Sequence, residues 1–87
     1  MATVVLPRSL VALFPGLERR CVVPGATVAE VIAGLEARVP GIGDRLMAAG
    51  GAIREHLNVF VDGERAGLTT PVAPDAVVHV IPAVSGG

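Results

Sequence analysis

Ser85-Gly86-Gly87 closes the chain on small residues only, and the chemistry open to such an end is that of an unhindered backbone carboxylate. A carboxylate of this kind can attack the α-phosphate of ATP and become an acyl adenylate, a mixed anhydride that a sulfur nucleophile can open. Glycine suits the role because it lets a narrow channel close around the backbone. Glycine also has the most conformational freedom to lose on ordering, so a terminal pair adds nothing to a fold. Alone, the pair is equally compatible with a frayed end. Its meaning depends on the domain that delivers it.

Other chemistry is scarce. His56 and His79 stand apart, and no HExxH, P-loop or GxGxxG pattern is present. Cys21 is the single cysteine, which leaves no internal disulfide and no thiolate cluster. It reads as a small buried hydrophobe, because a reactive thiol needs surroundings that lower its pKa. The 8 acidic residues read as solvated surface, so neither a metal site nor an intrinsically bound cofactor is expected. A self-contained active site is therefore not expected.

The net charge of −1, two phenylalanines and no Tyr or Trp remove the basic footprint and stacking platform of a nucleic-acid binder. All 7 basic residues are arginine, so the chain offers no lysine of its own for an isopeptide bond. No apolar run approaches the roughly 18 residues of a spanning helix. The greasiest stretch, Ser9 to Leu17, is broken by Pro15 and Gly16. The opening residues lack a signal-peptide pattern, and a cytoplasmic location is expected.

The elements that would position the tail are legible along the chain. Thr3-Val4-Val5-Leu6, stopped by Pro7, reads as a strand. Arg8 to Gly16 reads as a connection with room for a helical turn, and Glu18 to Val23 as a second strand ended by Pro24-Gly25. Thr27-Val28-Ala29-Glu30 is a capping box, and Val28, Val31, Ile32, Leu35 and Val39 behind it form one helical stripe. Pro40-Gly41 ends that helix. A single helical turn is expected around Asp44 to Met47.

Leu57 to Asp62 reads as a strand, Asp62-Gly63 as a two-residue hairpin turn, and Glu64 to Leu68 as a short return strand. Ala76 to Ile81 reads as the last strand, terminated by Pro82. With 52% apolar residues, a single domain of this order is a two-layer α+β fold. A mixed sheet of four to five strands packed on one main helix in this order is the β-grasp arrangement. Residues 1–81 would form the domain and residues 82–87 a flexible Gly-Gly tail.

Alternation sends Leu57, Val59, Val61, Val78 and Val80 under the helix. Asn58, Phe60, Val77, His79 and Ile81 then point the other way, where Phe60 and Ile81 would form an exposed apolar patch suited to binding. The alternative is that a bulge shifts the parity and both phenylalanines lie in the core.

The segments "VPGATVAEVIAGLE", "LNVFVDGE" and "VVHVIPAVSGG" together resemble the MoaD/ThiS family of ubiquitin-like sulfur carriers, in the family's order. "GIGDRLM" and "HLNVFV" look closer to the branch that serves cysteine biosynthesis than to the molybdopterin synthase small subunit. Ile81 stands where the latter carries an aromatic. The resemblance implies that an E1-like enzyme of the MoeB/ThiF type adenylates Gly87 with ATP and magnesium, and that sulfur then replaces AMP to leave a thiocarboxylate. It further implies an acceptor, a PLP-dependent cysteine synthase or another thiolating enzyme, and a zinc metalloprotease that releases the product. Gly86 would serve with Gly87 at the reactive end, and Phe60, His79, Ile81, Pro82, Val84 and Ser85 at the docking surface. Three other functions fit the same residues: the molybdopterin synthase small subunit, a protein modifier conjugated to lysines of other proteins, and a plain binding module with incidental glycines.

Overall fold

The computed structural model describes residues 1–82. The elements run β1 (Ala2–Val5), α1 (Arg8–Val11), β2 (Arg20–Val23), α2 (Val28–Arg38), α3 (Ile42–Leu46), β3 (Leu57–Val61), β4 (Glu64–Ala66) and β5 (Val77–Pro82). The five strands lie in the order β2-β1-β5-β3-β4. β1 and β5 pair in parallel at the centre, and the other neighbours are antiparallel. A parallel pair needs a crossover between its strands; here α2 and the elements around it supply the crossover and cover one face. This is the β-grasp arrangement expected from the element order.

The start of α2 explains how the helix is held. Thr27 has extended backbone, and its hydroxyl accepts from the Glu30 N–H at 3.3 Å. The Glu30 carboxylate accepts from the Ala26 N–H at 3.1 Å, one residue before the cap. Two further N–H groups of the first turn, those of Val28 and Ala29, donate to the carbonyls of Thr70 and Leu68. The loop before β5 thus satisfies donors that a helix start leaves open. Val28, Val31, Ile32 and Leu35 are buried, whereas Val39 is the C-cap and half-buried.

Close packing of α2 on β2 relies on Gly34. A Cβ there would lie 2.6 Å from Cγ1 of Val23. The core also takes Val4 and Leu6 from the first strand region, Val59 from β3, and Val78 and Val80 from β5.

α3 begins at Ile42, two residues before the expected turn at Asp44. Its start is fixed from a distance. The Glu36 carboxylate on α2 accepts from the N–H groups of Gly41 at 3.0 Å and Gly43 at 2.7 Å. Gly41 makes this possible at φ +100°, a left-handed conformation open to glycine. Those two bonds hold the Glu36 carboxyl below its ordinary pKa. Ile42 and Leu46 are then placed in the core.

Asp62 and Gly63 form the hairpin turn with φ of 49° and 85°, the positive pair a type I′ turn requires. Asp62 also extends the ladder: its N–H donates to the Val77 carbonyl, and its Oδ1 accepts from the Val77 N–H, both at 2.9 Å. The last strand runs one residue further than expected, because Pro82 pairs with Leu57 inside β5. β1 accompanies β5 only as far as His79. At Pro82 the strand has a single neighbour, so the missing proline N–H interrupts no two-sided ladder.

Candidate functional site

Two candidate regions came from the sequence, the tail and the sheet face away from α2. Val84, Ser85, Gly86 and Gly87 lie outside the described residues. The sheet face is fully described. β3 and β5 pair without interruption from Leu57↔Pro82 to Val61↔Val78, so no bulge shifts the parity. Val59, Val78 and Val80 are buried, while Phe60 and His79 sit directly opposite each other on the uncovered side.

The register extends that pair into a row across the whole sheet. Arg20 of β2 lies opposite Val5 of β1, Val5 beside His79 of β5, His79 opposite Phe60 of β3, and Phe60 opposite Arg65 of β4. Val5, His79 and Phe60 are half-buried, and the two arginines at the ends are exposed. Phe60 is absent from the side chains packed on the core, whereas Phe14 is half-buried and packed against it. The two phenylalanines therefore divide between surface and core.

Ile81 is 44% exposed and pairs with Asn58, which makes it a diagonal neighbour of Phe60. Arg65 donates from Nη2 to Asn58 Oδ1 at 2.8 Å, so its guanidinium is held over the same corner. Phe60, His79 and Ile81 are thus brought together on one face of the sheet. Pro82 is not: alternation from Ile81 turns it to the opposite side, beside Leu10, Leu13 and Leu57.

Val5, Arg20 and Arg65 join this face without being among the residues the sequence singles out. Val5 was detectable as the outward partner of buried Val4, but its place beside His79 depends on the parallel β1–β5 pairing. That pairing joins residues more than seventy apart and has no local signature.

Cys21 is half-buried on the core side of β2. Burial raises its thiol pKa, opposed by the Arg38 charge and reinforced by Glu18. It is a thiol with little thiolate character and not an activated nucleophile. Among the described residues there is no group of three or more His, Cys, Asp or Glu able to hold a metal ion. No described helix is long and apolar enough to cross a membrane.

Comparison with known proteins agrees with this architecture. The chain is similar to the sulfur carrier protein CysO of Mycobacterium tuberculosis, 38% identical over 69 residues that cover 72% of this chain and 74% of the relative. The crystal structure of the Amycolatopsis orientalis BexX/CysO complex contains a chain that superposes with a TM-score of 0.86. It is 32% identical, and the match covers 100% of both chains. Small archaeal modifier protein 1 of H. volcanii superposes with a TM-score of 0.76 at 28% identity, covering 95% of this chain and 97% of that one. The ThiS family profile matches residues 12–87. On these grounds the protein with the arginine-flanked sheet face is a member of the ThiS family, with a ubiquitin-like β-grasp fold.

Proposed function

We propose that this chain is a sulfur carrier: a protein substrate, and not a catalyst, that carries sulfur as a thiocarboxylate on Gly87. The observation that carries the reading is that Gly86 and Gly87 fall inside the region shared with the ThiS family. Similarity to CysO over most of the chain supports it.

In the proposed sequence, a MoeB/ThiF-type enzyme uses ATP and magnesium. A Gly87 carboxylate oxygen attacks the α-phosphorus, and pyrophosphate leaves. The terminal sulfur of a persulfide then attacks the acyl carbon, and AMP leaves. A second thiol cleaves the resulting S–S bond and is itself oxidised to a disulfide, which frees the thiocarboxylate. An acceptor enzyme takes the sulfur; the likeness to CysO favours a PLP-dependent cysteine synthase, with a zinc metalloprotease releasing the product.

The chain's own contribution is recognition. Val5 and Phe60 flank His79 at the centre, with Ile81 at the corner and Arg20 and Arg65 at the ends, so the partner would present apolar side chains flanked by acids. The Amycolatopsis CysO occurs in a complex with BexX; docking of this kind is what we carry over to this chain. The test is ATP–pyrophosphate exchange by a MoeB/ThiF-type enzyme. The full chain should support exchange, and a chain ending at Ser85 should not. Exchange that survives the truncation refutes the reading.

A second function has a specific observation behind it, the likeness to small archaeal modifier protein 1. As a modifier, the same activated end would be captured by lysines of other proteins. A ladder of covalent adducts in extract, resistant to thiols, would favour that function over sulfur transfer.

A further inference from the structure

On the opposite side of the molecule from the His79–Phe60 row, a groove runs between α1, α3 and the paired ends of β3 and β5. Its floor is apolar: Leu10 is almost fully buried, Leu13 is 51% exposed, and Leu57 and Pro82 close one end. Every charged or titratable side chain lining it, namely Arg45, Arg54 and His56, is a base or cationic.

Three observations argue that this groove is built for an occupant. Arg54 is already held in place, because its Nε and Nη2 donate to the Asp44 carbonyl at 2.9 and 2.6 Å. A guanidinium fixed in this way gives up little rotamer freedom on meeting a carboxylate and keeps Nη1 free to meet it. Among the described residues, neither Arg45 nor Arg54 has a carboxylate partner; the one ion pair joins His56 to Glu55 at 3.7 Å. A chain of net charge −1 thus sets two arginines without a carboxylate partner beside one apolar floor; the Asp44 side chain lines the adjoining hollow and pairs with neither. Leu13 is also among the few large apolar side chains left exposed, and it stands within this ring.

We propose that the groove docks an acidic segment of a partner protein, one that seats an aliphatic side chain on Leu10, Leu13 and Leu57 and sets a carboxylate against Arg54 and another against Arg45. The apolar floor gives affinity, and the arginines set register and select against neutral or basic segments. Pro82, the last described residue, lines the groove, and a segment bound there is assigned to the enzyme that receives the tail. In that last respect alone the inference rests on the proposed sulfur-carrier function.

The test uses the isotope-labelled full chain and three blocked tripeptides, Asp-Leu-Asp, Asn-Leu-Asn and Lys-Leu-Lys, followed by amide and arginine Nε–H NMR shifts. Asp-Leu-Asp should move the amides of Leu13, Arg45, His56 and Leu57 and the Arg54 Nε–H, saturating in the millimolar range. Added salt should weaken the effect. Arg45→Glu, exposed and outside the core, should remove most of the response without altering the rest of the spectrum. Lys-Leu-Lys and Asn-Leu-Asn should leave the groove unmoved.

Equal response to the neutral peptide, response confined to Phe60 and His79, or no response at all would overturn the proposal. So would acetate alone reproducing the shifts, or groove shifts that depend on protein concentration without peptide, which would assign the groove to a second copy. ATP–pyrophosphate exchange is unaffected by any of these outcomes, so failure here is distinguishable from failure of the sulfur-carrier reading.

Discussion

The two faces of the sheet draw valines from the same strands, yet only one of them is covered. On the inner face Val4, Val59, Val78 and Val80 meet α2 and are buried. On the outer face Val5, Val77, Phe60 and Ile81 alternate with them along the same strands, and the described chain places no helix over them. Residue type alone does not separate the two sets, since valine is common to both. The difference lies in which parity faces α2, and that one geometric fact divides the residues that hold the fold from those it leaves uncovered.

The contrast can be broken hardest from the inner side. Leu35→Ala removes a side chain that is 1% exposed and should cost about 3 kcal/mol in urea unfolding, a large share of a small domain's stability. Phe60→Ala on the outer face should cost about 1 kcal/mol or less. An equal loss at the two sites would show that Phe60 belongs to the core.

The hairpin joining β3 to β4 provides a middle case. Gly63 sits at φ 85° with open space around it, so Gly63→Ala meets backbone strain without a clash and should cost about 1 kcal/mol. Thermal unfolding would show whether the loss is that small.

Acid should act on α3 before it acts on the sheet. The folded Glu36 carboxyl has its pKa lowered from the ordinary 4.5, so its contribution is fully present above that value. It is lost as pH falls through the lower folded value. Amide exchange of Gly41 and Gly43 should quicken over that acid range, and Glu36→Gln should remove the pH dependence.

Ile81→Glu should have the smallest effect on the fold and a plain one on function. Its side chain is 44% exposed, so the melting temperature should hardly move. Activation by a MoeB/ThiF-type enzyme should fall about tenfold, equivalent to roughly 1.4 kcal/mol of binding. A collapse of the fold would instead move Ile81 to the inner set.

Much of this was readable from the sequence because the informative signals are local. The capping box placed the start of α2, the 3–4 spacing placed its buried stripe, and Asp62-Gly63 fixed the turn that sets the β3 register. What escaped depends on distant partners. α3 starts at Ile42 because Glu36 on another helix caps it, and Pro82 remains in β5 because β1 has already ended at that level. The arginine-flanked row exists only once Val5 lies parallel to His79. The groove of Leu13, Arg45 and Arg54 likewise joins three segments that share no pattern.

As a sulfur carrier, the protein would use its fold as a handle for a reactive carboxylate at Gly87. Intact-mass measurement of the full chain after incubation with a MoeB/ThiF-type enzyme, ATP, magnesium and a persulfide donor tests it most directly. The expected result is a gain equal to replacing one oxygen by sulfur, located by fragmentation at Gly87 and absent without ATP. An unchanged mass, or sulfur found instead on Cys21, would contradict it.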